Sequence, residues 1–369
     1  MKVRLLERLV CPLCAGRLSL EVERGTGDEC EFGSIRCACG AEFPIERFVP
    51  SFFGPTPSEA ERRMLADGEY WSRFYTYYED LGYRYFVDSR ADVAPLLFHG
   101  ILETISLGRW RRFAHWHEPH YRDLFADDLL GRLAPGTRAL ELGCGGGWLT
   151  LELARRGGAA LGQDTALEAL VRAKRQAMAE GVDAEYIHAS SLALPLGASS
   201  IDLFVSFQAL HHFEDLPATL ARVSEALAPG ARVVIFEHRR SRPPRLGRIA
   251  SALDGVFVPI VRRRFAPTAR RDWVASPSED CAVGIVDDSI RSAFDVVSHK
   301  DYSLLLQQLP VYVYFCGFRS PLAYVIASSA VNFLDRVTAR LLPDRCEHRL
   351  YVGTRRIPGK SSPGLLSHR

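Results

Sequence analysis

The sequence predicts an α/β fold built on a parallel sheet, and three observations predict it. The apolar run Arg138-Ala-Leu-Glu-Leu142 stops in a glycine cluster (Gly143, Gly145, Gly146, Gly147) and passes directly into a helical pattern at Trp148. A second apolar run, Ala159 to Gln163, ends on Asp164, 21 residues beyond Gly143. Further runs, Ile201 to Ser206 and Val233 to Ile235, follow at the intervals of repeated strand–helix units.

The glycine cluster is the most informative of these. Glycines at a strand-to-helix turn remove every Cβ, so the backbone turns sharply and a ligand can approach it closely. The following helix directs its free N–H groups and positive dipole end into the same space, which suits a carboxylate or a phosphate. A dinucleotide fingerprint counted from Gly143 would need glycine at position 148, where Trp148 stands, so a pyrophosphate ligand is disfavoured.

The spacing Glu141-x-Gly143-x-Gly145-x-Gly147 resembles the first motif of the class I S-adenosylmethionine-dependent methyltransferases, and the resemblance runs through roughly 130–240. Asp164 stands where that family places the acid that takes the two ribose hydroxyls; a carboxylate accepts from a cis-diol better than an amide or a hydroxyl does. Ser190-Ser-Leu-Ala-Leu-Pro-Leu196 stands where the family has an acid followed by Leu-Pro-Phe. Ile201–Ser206 resembles the fourth strand, Leu210-His-His-Phe213 the loop after it, and Leu227–Ile235 the turn into the fifth. The resemblance implies a Rossmann-like, seven-stranded sheet with helices on both faces. It implies that S-adenosyl-L-methionine is held by Glu141, Gly143, Cys144, Gly145, Gly147, Asp164, Thr165, Ser190, Ser191, Leu192 and Phe207. The departure is Ser190, a weaker partner for the adenine amino group than the acid usual there.

Five of the nine cysteines lie in the first 40 residues: Cys11, Cys14, Cys30, Cys37 and Cys39. Cys11-Pro-Leu-Cys14 and Cys37-Ala-Cys39 fit tetrahedral thiolate coordination of Zn²⁺, with Cys30 as a substitute ligand for the tight second pair. With Phe43-Pro-Ile45 and Val49-Pro-Ser-Phe52, these pairs resemble a small zinc ribbon of the Trm112 type. A segment of this size buries too little core to fold alone, which makes a structural metal thermodynamically sensible. Disulfides are the competing account. The first 20 residues carry Lys2, Arg4, Glu7 and Arg8 and no apolar stretch of useful length, so a reducing cytoplasmic setting is expected.

Composition agrees with an enzyme of two or three domains. Hydrophobic residues make up 47%, enough for a sizeable core, and a net charge of +2 argues against a general polyanion binder. Only Lys2, Lys174, Lys300 and Lys360 are lysines among the 46 basic residues. The expected division is a ribbon over 1–55, a helical cap over 56–130, the cofactor-binding core over 131–240, the rest of the core with two insertions over 241–357, and a disordered tail over 358–369.

Residues 58–133 read as helices, with an aromatic cluster at Tyr70, Trp71, Phe74, Tyr75, Tyr77 and Tyr78 that either packs in the core or covers the site. His115, His117 and His120 do not share a helical face, and Pro119 interrupts them, so a metal site there is disfavoured. Ser276-Pro-Ser-Glu279 starts a helix to about Ser292; Phe294–Ser298 and Arg349–Thr354 follow as strands six and seven. The insertion 239–275 holds ten arginines (239, 240, 242, 245, 248, 262, 263, 264, 270 and 271). That over 303–341 is strongly apolar, and neither of its parts reaches the ~18–20 residues that span a bilayer. It suits a wall for a lipophilic acceptor or buried core helices.

A sulfonium methyl is already electrophilic, so transfer needs alignment and, for a hydroxyl or acidic carbon, removal of a proton. His212, His211 and His238 are the candidate bases, with Glu237 placed to orient one of them. Three functions stay open: methyl transfer to a small molecule (a natural-product intermediate or a glycan- or lipid-linked precursor), methyl transfer to RNA, and cofactor binding without methylation. RNA ranks lower, because Gln208-Ala-Leu-His211 stands where a nucleobase-type Pro-Pro motif would. A homodimer is a further expectation.

Overall fold

The computed structural model describes residues 1–54, 56–80, 93–98, 101–106, 119–239, 244–264, 282, 284–303, 309–315 and 319–356. At its centre is a seven-stranded sheet of β7 (Arg138–Leu142), β8 (Ala159–Asp164), β9 (Ala184–His188), β10 (Ile201–Phe207), β11 (Leu227–His238), β12 (Phe294–Tyr302) and β13 (His348–Arg355). Their order is β12-β13-β11-β10-β7-β8-β9. Neighbours from β11 through β9 run parallel, and β13 runs antiparallel to both β11 and β12. This is the Rossmann-like sheet the glycine-loop resemblance implies. From β7 the chain winds outward through β8 and β9, then returns to β10 on the other side of β7. That reversal opens a crevice at the carboxyl ends of β7 and β10, where ligands of open parallel sheets bind.

Helices α3 (Trp148–Arg155) and α4 (Leu167–Glu180) bury one face of the sheet with Leu149, Leu153, Leu170 and Val171. On the other face lie α5 (Leu216–Ala226), α7 (Val286–Ala293) and, unexpectedly, the N-terminal ribbon. The ribbon is a meander of β1 (Leu18–Thr26), β2 (Glu29–Cys37), β3 (Glu42–Glu46) and β4 (Val49–Pro50). Met1, Leu5, Leu9, Ile35, Phe43, Ile45 and Phe52 share one continuous core with Leu140, Leu142, Leu161, Ile187 and Phe204. The physical reason is local: between β9 and β10 the chain forms only a single turn, Ser191–Ala193, so no crossover helix shields this face and the ribbon does.

Polar contacts seal the joint. Lys174, 1% exposed, donates to Glu185 (2.5 Å) and to Glu29 of the ribbon (2.8 Å). Val10 N donates to Pro195 O (3.0 Å), Gly197 N to Arg8 O (3.1 Å) and Phe52 N to His188 O (2.8 Å).

Strands six and seven form as expected. Within 58–133 the expectation of helices alone needs correction: β5 (Val93–Phe98) and β6 (Ile101–Ser106) make a hairpin between helices α1 (Glu59–Asp80) and α2 (Pro119–Leu124). Val93 to Phe98 is an apolar run too short to be told from a helix by periodicity. Pro119 opens α2 instead of breaking a helix, as its fixed φ and absent N–H allow. Helix α6 (Pro244–Arg264) occupies the arginine-rich insertion, and α8 (Leu309–Phe315) and α9 (Pro321–Leu341) the apolar one. Ile105, Val261, Tyr312, Phe315, Tyr324 and Val325 join hairpin and insertions in a separate small core. His115, His117, the capped start at Ser276–Glu279, Arg240, Arg242, Arg270, Arg271, residues 304–306, the side chains of Tyr78, Arg245 and Arg248, and the tail 358–369 lie outside the described residues.

Candidate active site

The glycine loop is held from beneath. Gly143 N and Cys144 N both donate to Gln163 O (2.9 and 3.0 Å), tying the loop to the end of β8. Gly143 and Gly147 adopt φ of +69° and +73°, and a Cβ on Gly147 would lie 2.6 Å from the Tyr186 ring. No other residue fits there. Asp164 is the loop's second anchor: its Oδ2 accepts from Gly145 N (2.7 Å), its Oδ1 from Thr165 N (2.7 Å) and Ala166 N (2.8 Å). Three of the roughly four acceptor positions of a carboxylate are thereby used. Burial pushes this carboxyl above its ordinary range, against the pull of those three N–H groups.

Glu141 faces the other way. It is buried and accepts from Thr150 N (2.6 Å) and from the Thr150 hydroxyl, so it fixes the first turn of α3 and does not reach the cavity. Burial pushes its carboxyl up to about 8 from 4.5. A raised carboxyl binds its proton in the folded state while the unfolded chain has released it. The stability it contributes is therefore complete below pH 4.5 and lost progressively as pH rises toward about 8. Glu141→Gln, which keeps an acceptor for Thr150 N, should remove that decline. Chemical denaturation at pH 5, 6.5 and 8 checks this, and parallel profiles for variant and parent would refute it.

The crevice holds a cavity of about 240 Å³. Of the expected site residues, Gly143, Gly145, Asp164, Thr165, Ser191 and His212 line it, together with Met64, Asp67, Trp71 and Tyr75 of α1 and with Gln163, Gln208, Phe213 and Glu214. Helix α1 is thus a wall of the site: a methyl on Gly68 would collide with the Thr165 carbonyl oxygen, and one on Gly145 with the Tyr75 hydroxyl. Burial pushes the Tyr75 phenol well above its usual range, keeping it a hydrogen-bond donor. Across the cavity wall Arg63 meets Glu214 at 3.2 Å.

Of the other expected residues, Cys144 and Gly147 build the loop without lining the cavity. Phe207 stacks on Tyr121 and Phe236 (5.6 and 5.1 Å) and meets the Trp148 ring edge-on. Ser190 Oγ accepts from Leu192 N (3.2 Å) and donates to Met64 Sδ (3.4 Å); the serine standing in place of the acid caps its own turn. Sequence reasoning also missed Gln163, Gln208, Phe213 and Glu214. Gln163 donates to Ala189 O, and its amide oxygen is buried without a hydrogen-bond partner. Gln208, at φ +49°, is a non-glycine residue in the left-handed region, held there by Gln208 N donating to Phe236 O (2.7 Å).

The histidines divide by environment. His212 lines the cavity, edge-on to Trp71 at 5.5 Å and 4.1 Å from the His211 ring. His211 is buried, its Nδ1 2.6 Å from Glu237 Oε1. Glu237 also accepts from Ala209 N (2.9 Å), Leu210 N (2.6 Å) and His238 N (2.7 Å), so one buried carboxylate pins the whole turn that presents His212. Burial pushes the Glu237 carboxyl up, but His211, His238 and the backbone donor of His238 together hold it below its usual range. His120 is buried, stacked on Phe236 at 4.4 Å.

In the ribbon the Sγ atoms of Cys11, Cys14, Cys37 and Cys39 all lie within 4.8 Å of one another. Cys11 to Cys39 is 3.7 Å and Cys14 to Cys37 3.5 Å. Four thiolates at Zn–S distances of about 2.3 Å would stand about 3.8 Å apart, so the group has tetrahedral zinc dimensions. Gly16 makes room: a Cβ there would press on Cys14 and Cys37 Sγ at 3.1 and 3.3 Å. Cys30 stands apart, its buried thiol donating to Phe32 O (3.3 Å).

Residues 140–235 match the family described as a methyltransferase domain. Over 138 residues the chain is 31% identical to the ubiquinone biosynthesis O-methyltransferase of Cereibacter sphaeroides, covering 37% of this chain and 53% of that protein. Over 131 residues it is 34% identical to the demethylmenaquinone methyltransferase of Thermus thermophilus, covering 35% and 54%. The chain thus spans about half the length of the curated relatives it matches. Among solved structures, the geranyl diphosphate C-methyltransferase of Streptomyces coelicolor aligns with 82% of this chain and all of its own at 15% identity and a TM-score of 0.45. Residues 140–235 thus match a methyltransferase domain, and they lie in the seven-stranded Rossmann-like sheet described above.

Proposed function

We propose that the chain is an S-adenosylmethionine-dependent methyltransferase whose acceptor is a lipophilic small molecule, with a structural zinc in its ribbon. One observation carries the reading: the cavity at the topological switch point is bounded by the left-handed glycines of the β7 loop and by Asp164. Relatives named for ubiquinone biosynthesis and for demethylmenaquinone support an acceptor of that polarity, and Trp71, Tyr75 and Phe213 give the cavity aromatic walls.

The glycine loop and the start of α3 would hold the amino-acid end of S-adenosylmethionine, Asp164 the ribose, and Ser191 with the Gln163 amide oxygen the base. Bound there, the cofactor supplies an electrophilic methyl group. The remaining work falls to the chain. Helix α1 excludes water, the aromatic walls orient the acceptor, and His212 accepts the proton released when a hydroxyl or an acidic carbon becomes the nucleophile. Glu237 is a positioning residue, because it reaches the site only through the 209–212 turn. Cys11, Cys14, Cys37 and Cys39 would ligate Zn²⁺ as a closed four-thiolate site, which leaves no position for chemistry on the metal. The ribbon of 1–55 and the core of 131–240 act as one folded unit.

The Asp164→Ala variant tests the cofactor assignment. It deletes the ribose acceptor and one strut of the glycine loop, so affinity measured by titration calorimetry should fall at least about tenfold. Unchanged affinity in a folded variant would overturn the assignment.

A further inference from the structure

Helix α9 is apolar on two opposite faces. Tyr324, Val325, Ser328, Val331 and Asp335 are buried, on the side that joins the small core with α8. The opposite side carries Leu322, Ile326, Phe333, Val337 and Leu341, a stripe at helical spacing, with Ile326 and Phe333 each 60% and Leu341 69% exposed. Helix α6, which enters the same small core through Val261, exposes Val256 and Ile260 as well. Soluble monomers seldom leave a contiguous apolar patch of this length uncovered.

The charges of α9 and of the end of α6 choose the partner. The single acid of α9, Asp335, is buried and accepts from Ser303 N (3.0 Å) and Ser303 Oγ (2.6 Å). The other charged residues of α9 are Arg336 and Arg340, both exposed, and α6 ends in exposed Arg262, Arg263 and Arg264. A second copy of α9 would bring no exposed acid to answer these arginines, in whichever direction the two helices paired. An anionic lipid surface answers both the stripe and the charges. Among the described residues no helix is long and apolar enough to cross a membrane, so α9 would lie in the interface instead of spanning it.

We propose that α9, with the end of α6, docks the protein on an anionic membrane surface. This deepens the reading of a lipophilic acceptor, which would be taken from that surface without crossing water. The test reads membrane binding with no turnover, so it can fail while methyl transfer stands, and the reverse.

The full-length protein is mixed with vesicles of phosphatidylcholine alone or with phosphatidylglycerol added, and bound protein is measured by flotation at low and high salt. Binding to the anionic vesicles that weakens with salt is expected. Ile326→Asn with Phe333→Asn should weaken it by about tenfold or more. Arg336→Glu with Arg340→Glu should erase the preference for anionic lipid. All four side chains are exposed, and unchanged melting and cofactor affinity would show that both variants are folded. No vesicle binding, or equal binding to both compositions, would overturn the proposal. So would a dimer in sedimentation equilibrium that the same substitutions dissociate, which would assign the face to a second copy.

Discussion

If the ribbon holds the proposed zinc, replacing Cys37 with serine is expected to cost the chain that metal and much more than the ribbon's own order. Structural zinc supplies on the order of 10 kcal/mol of folding free energy in small thiolate sites, against a total stability of about 5–15 kcal/mol for a typical domain. In a loosely tethered ribbon that loss would stay local. Here Ile35, Phe43, Ile45 and Phe52 fill one core with Leu140, Leu161 and Ile187, so a melted ribbon uncovers the sheet beneath β7, β8 and β9. It would also strand Lys174, whose charge is matched jointly by Glu29 and Glu185 in a site sealed from water. The effect should reach the cofactor site through Ser51 and Phe52, which pair with His188 at the end of β9, two residues before Ser190. Melting should drop by more than about 10 °C. Elemental analysis should find the zinc gone, and cofactor affinity should fall with it. Cys30→Ser is the control: its thiol donates to Phe32 O and lies outside the four-cysteine cluster, so it should keep the metal. Full stability of the Cys37 variant, or loss of zinc from the Cys30 variant, would refute the four-thiolate assignment.

The parts of this site that were legible in the sequence are those whose chemistry is local. Left-handed turns demand glycine, so Gly143, Gly145 and Gly147 were readable as a loop. A strand-end acid is conspicuous in an apolar run, so Asp164 was too, and paired cysteines announce a metal whatever surrounds them. What escaped depends on packing between segments far apart in the chain. The aromatic residues of α1 follow no single period because Trp71 and Tyr75 turn toward the cavity while Tyr70 and Phe74 pack beside them. The lid and core readings of that cluster could therefore not be separated by spacing. Gly68 is the place where α1 touches the backbone at Thr165, a contact that no local pattern signals. The docking of the ribbon was hidden because the missing crossover helix between β9 and β10 is a vacancy in the fold, and a vacancy has no motif. The roles of Glu141 and Asp164 were half legible. Both acids stand where the family pattern puts them, yet Glu141 Oε2 takes both Thr150 donors and Asp164 spends most of its acceptor capacity on the loop.

The second large effect is expected at the 209–212 turn. If His212 accepts the acceptor's proton, His212→Asn should lower kcat by about 10²–10⁴-fold on a hydroxyl acceptor, with little change in cofactor affinity. Glu237→Gln separates positioning from proton transfer. The amide keeps the size of the carboxylate but turns an N–H₂ group toward one side of a site that offers three backbone donors and the His211 ring. At least one buried donor then loses its acceptor, at a cost of about 1–3 kcal/mol, and the turn shifts. kcat should fall at least about tenfold while KM for the cofactor holds, and the acid limb of stability should change as well. Because Glu237 is held below its usual range in the folded protein, it contributes stability that is present above the unfolded carboxyl value of 4.5 and lost as pH falls through the lower folded value. The glutamine variant lacks that limb, so its stability should fall less steeply below pH 4.5 than the parent's. A merely structural role for Glu237 predicts the stability change alone, with kcat intact once the variant is folded. Loss of kcat in both variants, with the altered acid limb confined to Glu237→Gln, is the pattern of a cavity-wall base held in place by a buried carboxylate. A His212→Asn variant at full kcat on a hydroxyl acceptor would remove the base from the mechanism and leave methyl transfer to alignment alone, as a nitrogen acceptor would require.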